Sequence, residues 1–144
     1  MTAGPRKPGL ATLLDVLEAT WPAAGHRQLG PWILRDGAGG GKRVSAATAL
    51  AAIAPQDIDA AEAAMHAGRA APLFMLCPEL RPGDAALDVA LASRGYARID
   101  PTMIYLAPVA RLRSEELSAI QVMSIWPPLA IQREIWREAG IGPG

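Results

Sequence analysis

The chain has 144 residues, 51% of them hydrophobic and 19% charged, which is the length of one ordinary domain and the opposite of a disordered composition. Fourteen basic residues balance fourteen acidic ones, so no basic surface is announced for nucleic acid and no run of like charge marks a tail or a membrane patch. The single cysteine, Cys77, excludes an internal disulfide framework and a cysteine-rich zinc site, and points to a reducing, cytoplasmic setting.

Arg6 and Lys7 precede an apolar stretch, but Asp15 and Glu18 interrupt it, so it does not read as a signal peptide. No apolar run nears the roughly 20 residues of a spanning helix, and no membrane association is expected. Leu10, Leu13, Leu14, Leu17 and Trp21 recur at helical spacing with Thr12, Asp15 and Glu18 on the other face, which predicts an amphipathic helix stopped near Pro22. Residues 30–36 (GPWILRD) alternate, with Trp32 and Leu34 on one side and Ile33 and Arg35 on the other, and predict a strand. The glycine-rich 36–41 turn and the alternating 42–48 stretch (KRVSAAT) complete an expected β-hairpin.

Residues 55–68 predict a helix with Asp57 as N-cap, an apolar stripe of Ile58, Ala61 and Met65, and Gly68 as its end. The apolar run 72–77 (PLFMLC) predicts a central strand. Asp84 is the expected cap of a further helix that faces Leu87, Ala90 and Leu91 inward and stops at Gly95. Residues 96–109 read as extended, bent at Asp100-Pro101, and 118–125 as another strand. Trp126-Pro127-Pro128 is a break, 129–138 a helix with Trp136 on its apolar side, and 140–144 a linker expected to lead onward. The order α, β, β, α, β, α, β, β, α argues for an α+β fold: a mixed sheet with helices on its faces.

Several stretches share an order and spacing with a known family: TWPAA at 20–24, GPWILRDGAGGGKRVSAAT at 30–48, AEAAM at 61–65, PLFML at 72–76 and LDVALASRGYARIDPTMIY at 87–105. Together they resemble the N-terminal domain of two-domain proteins of the GNAT superfamily of N-acetyltransferases, over nearly the whole chain and best over 20–109. The resemblance implies a mostly antiparallel sheet of about five strands with helices on both faces, spanning 1–125, followed by a C-terminal helix and linker at 126–144. It also implies acetyl-CoA as cofactor, bound mainly by a C-terminal GNAT domain outside this chain, and an amine acceptor, small molecule or peptide. The family's Arg-Arg-x-Asn-Ser run stands here as Lys42-Arg43-Val44-Ser45-Ala46, which reduces the implied acceptor contact to Arg43 and Ser45. Trp32, in the preceding matched motif, is the third residue taken as substrate-binding.

Acetyl transfer needs backbone N–H groups for a pyrophosphate, a base for the acceptor amine and a donor for the oxyanion or thiolate. Arg137-Glu138-Ala139-Gly140-Ile141-Gly142 matches the spacing of a coenzyme A turn, but it closes a helix where the real turn opens one. The 37–41 glycine loop reads as a hairpin turn. Tyr96 and Tyr105 are candidate acids that read better as sheet-edge residues, Glu62 as a solvated helix residue, and Cys77 as a buried inert thiol. His26, expected in a loop, and His66 lack partners at metal-ligand spacing, so no metal is expected. No catalytic residue is assigned. Three readings follow: the N-terminal half of an N-acetyltransferase that lacks a complete cofactor site, a non-catalytic GNAT-like module for domain packing or dimerisation, or a free-standing small GNAT enzyme with an unusual coenzyme A site. A dimer is expected from the zero net charge and the tail tryptophans Trp126 and Trp136.

Overall fold

The computed structural model describes residues 7–112 and 124–140. In chain order it contains α1 (Leu10–Thr20), β1 (Gly25–Leu29), β2 (Trp32–Asp36), α2 (Lys42–Ser45), β3 (Thr48–Ala49), α3 (Pro55–Ala67), α4 (Gly83–Ser93), α5 (Val109–Leu112) and α6 (Ala130–Glu138). The fold is α+β. Among the described residues the sheet has three antiparallel strands in the order β1-β2-β3, not the five expected from the sequence.

The hairpin lies one strand earlier than its sequence suggests. β1 (GHRQL) pairs with β2 from Gly25↔Asp36 to Leu29↔Trp32, leaving a two-residue turn at Gly30-Pro31. Gly30 takes φ +54°, a positive value at the first central position that suits the twist of a tight hairpin. β1 contains no β-branched residue and exposes His26, Arg27 and Gln28, so it carries no strand signal of its own. His26 therefore sits on a strand and not in a loop.

The 42–48 strand is also corrected. Lys42–Ser45 form one helical turn, and only Thr48 and Ala49 join the sheet, opposite Ile33 and Trp32. The glycine loop causes this. Ala38 (φ 46°) and Gly39 (φ 82°) both turn left-handed, and the Asp36 carboxylate accepts the Ala38 N–H at 2.9 Å. The loop folds back so closely that a Cβ on Gly37 would lie 2.1 Å from Ser45 Oγ. The chain thus re-enters as a turn of helix before reaching the sheet.

The expected central strand 72–77 makes a single parallel bridge, Ala47↔Phe74, through Ala47 N–H to Leu73 O and Met75 N–H to Ala47 O, each 2.8 Å. Pro72 and Pro78, which have no N–H, bracket it and leave little length for a ladder. Residues 96–108 form no strand either. Asp100 adopts φ 50° and precedes Pro101, which breaks the extended path. The Lys42 ammonium holds that bend through Asp100 at 2.6 Å. The strand expected at 118–125 lies mostly outside the described residues, and Ser124 and Ile125 are in no strand.

β2 divides the molecule as its alternation predicts. Trp32 and Leu34 join Ala47, Ala49, Ile58, Ala61, Met65, Leu87 and Leu91 in one core formed with α3 and α4. The Trp32 indole N–H donates to the Asp57 carbonyl at 2.9 Å and pins β2 to the first turn of α3. Phe74 lies 5.2 Å from the Trp32 ring, and Tyr96 lies edge-on to Phe74 at 5.4 Å. On the opposite side of β2, Arg35 meets Glu18 of α1. α1 has no fully buried residue, and Trp21, expected inside, is 55% exposed.

Both proposed caps sit inside their helices. Asp57 is the third residue of α3, and its carboxylate accepts the Ala54 N–H at 2.8 Å. Asp84 is in the first turn of α4 and 1% exposed. One of its oxygens accepts from Cys77 N–H at 2.6 Å and from Arg81 Nε at 2.9 Å, so it closes the 77–84 turn. Gly95 (φ 88°) ends α4 as expected, with Tyr96 N–H returning to Leu91 O at 3.1 Å. Asp84→Ala would orphan both donors and is expected to cost about 3 kcal/mol, whereas Asp84→Asn keeps an acceptor oxygen and costs less. Urea unfolding measures both; a wild-type midpoint for Asp84→Ala would contradict this role.

Candidate functional site

Arg43 is the sequence candidate that the fold places among other chemistry. It lies on α2, and its guanidinium stacks 5.0 Å from the centre of the Trp21 ring. One terminal nitrogen donates to the Trp21 carbonyl, and the other lies 3.4 Å from Glu18. Arg35 arrives at the same carboxylate from β2, with Nε 3.3 Å from each Glu18 oxygen. Arg35 also donates to the Thr48 hydroxyl at 2.7 Å and the Ala46 carbonyl at 3.2 Å. The two arginine side chains are only 10% and 16% exposed. Two guanidiniums therefore share one carboxylate in a partly desolvated place, and Arg43 Nε is buried without a hydrogen-bond partner among the described residues.

A cavity of about 210 Å³ opens beside this group. Glu18, Arg35, Arg43, Thr48 and Arg81 supply its polar wall, and Leu14, Leu17, Met75 and Leu80 its apolar one. α1, β2, α2 and the 75–81 segment thus converge on one cleft. The other two candidates fall elsewhere or are otherwise engaged. Ser45 Oγ donates to the carbonyl of Gly41, the N-cap of α2, at 3.2 Å. Trp32 is 1% exposed and packed in the core.

The remaining sequence candidates do not assemble. The 37–41 loop does lead into a helix, contrary to expectation, but α2 is a single turn and offers little dipole. Gly140 caps the C-terminal end of α6, where carbonyls rather than N–H groups face outward. Cys77, expected buried, is half-exposed with Sγ 3.9 Å from Glu79. His26 and His66 are both exposed, and among the described residues no three His, Cys, Asp or Glu side chains cluster as a metal site. A larger groove of about 480 Å³ separates α3 from α4, but its one charged residue, Arg94, is already held by Asp59 at 2.6 Å and Glu62 at 3.4 Å.

The surface has a second feature. Ile99, Met103, Ile104, Tyr105, Leu106 and Val109 are all exposed, Tyr105 to 84% and Val109 to 76%. Tyr105 is thus no sheet-edge residue. Trp126 is 89% exposed, and Ile131, Ile135 and Trp136 of α6 add further uncovered apolar area.

Tyr96 behaves differently from Tyr105. Its hydroxyl donates to Glu62 at 2.9 Å, so Glu62 is an engaged acceptor and not merely a solvated residue. Burial first, and the Glu62 carboxylate second, push the Tyr96 phenol up to about 12. The folded state then holds this proton where the unfolded chain releases it, so stability falls as pH rises from about 10 through 12. In a spectrophotometric titration one tyrosine should ionise only near pH 12, and Tyr96→Phe should abolish that step. Compared with family models, curated proteins and solved structures, the chain finds no match.

Proposed function

We propose that this chain is a GNAT-like packing module: it serves an acetyl-CoA-dependent N-acetyltransferase by docking a second GNAT-like domain, or a second copy of itself, without gripping the cofactor alone. The observation that carries this reading is the apolar strip Ile99–Val109, six large side chains of which none is buried. Contiguous exposed apolar surface of this kind marks an interaction face in a folded protein. The thin core supports it: of eleven buried hydrophobic residues among those described, four are alanines. Alanine contributes little burial energy, so added apolar contact from a partner has a large relative effect.

The GNAT component rests on the sequence motifs, and its cofactor side rests on chemistry. The helix that opens after the glycine loop has four residues, and the Gly140 turn is at the wrong helix end. Neither offers the row of N–H groups that a pyrophosphate needs. A base poised on an amine needs a cleft that admits the acceptor, and Glu62 is occupied by Tyr96 and Arg94. The shared work of two domains accounts for a chain that resembles an acetyltransferase and yet shows none of these parts among its described residues.

Calorimetry with acetyl-CoA at millimolar concentration should give no binding heat with the 144-residue chain. Tight, saturable binding would overturn the reading. Light scattering should show concentration-dependent association, and Met103→Glu with Tyr105→Glu should convert the chain to a monomer of unchanged circular dichroism. A wild-type chain that stays monomeric at millimolar concentration would remove the self-docking part.

A further inference from the structure

We infer that residues 103–107 pair as an antiparallel strand with the same residues of a second copy of this chain. The pair rests on the packing reading above and gives its self-docking form a partner and a set of bonds. The main chain carries the first observation. Among the described residues, no backbone N–H or carbonyl from 97 to 107 bonds to another backbone group. The Asp100 carbonyl accepts the Thr102 hydroxyl at 3.0 Å, before the run begins. Residues 101–108 pass without a turn, bend or helix. A straight run of free donors and acceptors is a template on which a further strand forms.

The side chains fit that geometry. Met103 and Tyr105 are 74% and 84% exposed, while Ile104 and Leu106 are 43% and 52%. Exposure therefore alternates with the two-residue period of a strand. Ile104 and Tyr105 are also residue types that sheets favour.

The same run of a second copy suits these residues better than the outer edge of β1. That edge would set His26, Arg27 and Gln28 beside apolar side chains and leave them poorly covered. No charged residue lies between Asp100 and Arg111, so two copies align without like charges face to face. A two-fold axis through an antiparallel pair sets one residue opposite its own counterpart. Tyr105, the middle of the run and its most exposed residue, takes that place. Met103 then faces Ala107 of the second copy, and Ile104 faces its Leu106. With the bonded pairs at 103, 105 and 107, Pro108 falls opposite Thr102, where the ladder asks for no N–H, and Pro101 lies past its end. Both prolines are accommodated without a lost bond, and they set the length of the ladder.

Hydrogen exchange followed by NMR on the wild-type chain, dilute and at millimolar concentration, reads the ladder. Association should slow the amides of Met103, Tyr105 and Ala107 about tenfold or more and leave those of Ile104 and Leu106 fast. In a half-labelled mixture, isotope-filtered contacts should join Tyr105 of one copy to Tyr105 of the other. Met103→Pro removes a ladder donor and should weaken the dimer about tenfold or more by light scattering, whereas Met103→Ala keeps the donor and weakens it less. Association that leaves the amides of Met103, Tyr105 and Ala107 as fast as before, or contacts that run to β1, overturns the strand pair and leaves the packing reading standing. So does equal weakening by Met103→Pro and Met103→Ala. A chain that stays monomeric at millimolar concentration overturns the pair too, while the docking of a second GNAT-like domain survives it.

Discussion

The fold depends on what Trp32 does at the end of β2. Its ring fills the space between the sheet and α3, and its N–H closes on the Asp57 carbonyl at 2.9 Å. An indole this deep must satisfy its one donor, and the first turn of α3 supplies the acceptor. That hydrogen bond sets where α3 begins against the strand. The ring then contacts Phe74, and Phe74 contacts Tyr96, so the segments before and after α4 are assembled on the same aromatic column.

Because one face of β2 is spent on this core, the other face is free for polar work. Ile33 and Arg35 alternate with Trp32 and Leu34, and a strand cannot place them on the same side. Arg35 therefore reaches α1, where Glu18 waits, and Arg43 joins from the turn of helix that the glycine loop forces. The cleft between α1 and the sheet is a direct outcome of the core's alternation. The apolar strip at Ile99–Val109 has a different origin: a left-handed Asp100 followed by Pro101 prevents the segment from pairing, so its side chains find no sheet to cover. One surface is polar and concave, the other apolar and extended.

Part of the site was legible in the residues. Arg43 stood out through its motif, and it does sit at the cleft. Arg35 was visible only as the outward member of an alternating strand, and Glu18 only as the polar face of a helix. Nothing in their spacing, 17 residues apart, announces that they meet. Arg81 gave no signal, because its position depends on the buried Asp84 that closes the turn behind it. Trp32 was misread as a contact residue for the same reason: a tryptophan beside a glycine loop looks available until α3 is packed on it.

The sequence by itself determined the helices with strong periodicity or a glycine stop, α1, α3 and α4, and the in-out alternation of β2. These are local properties: hydrophobic spacing and backbone freedom act within a few residues. Tertiary structure alone decided which segments pair as strands. β1 has no propensity to recommend it, yet it pairs because Gly30-Pro31 returns the chain beside β2. The apolar 72–77 run has every propensity and yields one bridge. Strand pairing is a contact between distant segments, settled by turn geometry and by which edge is reachable, and neither is written in the strand's own residues.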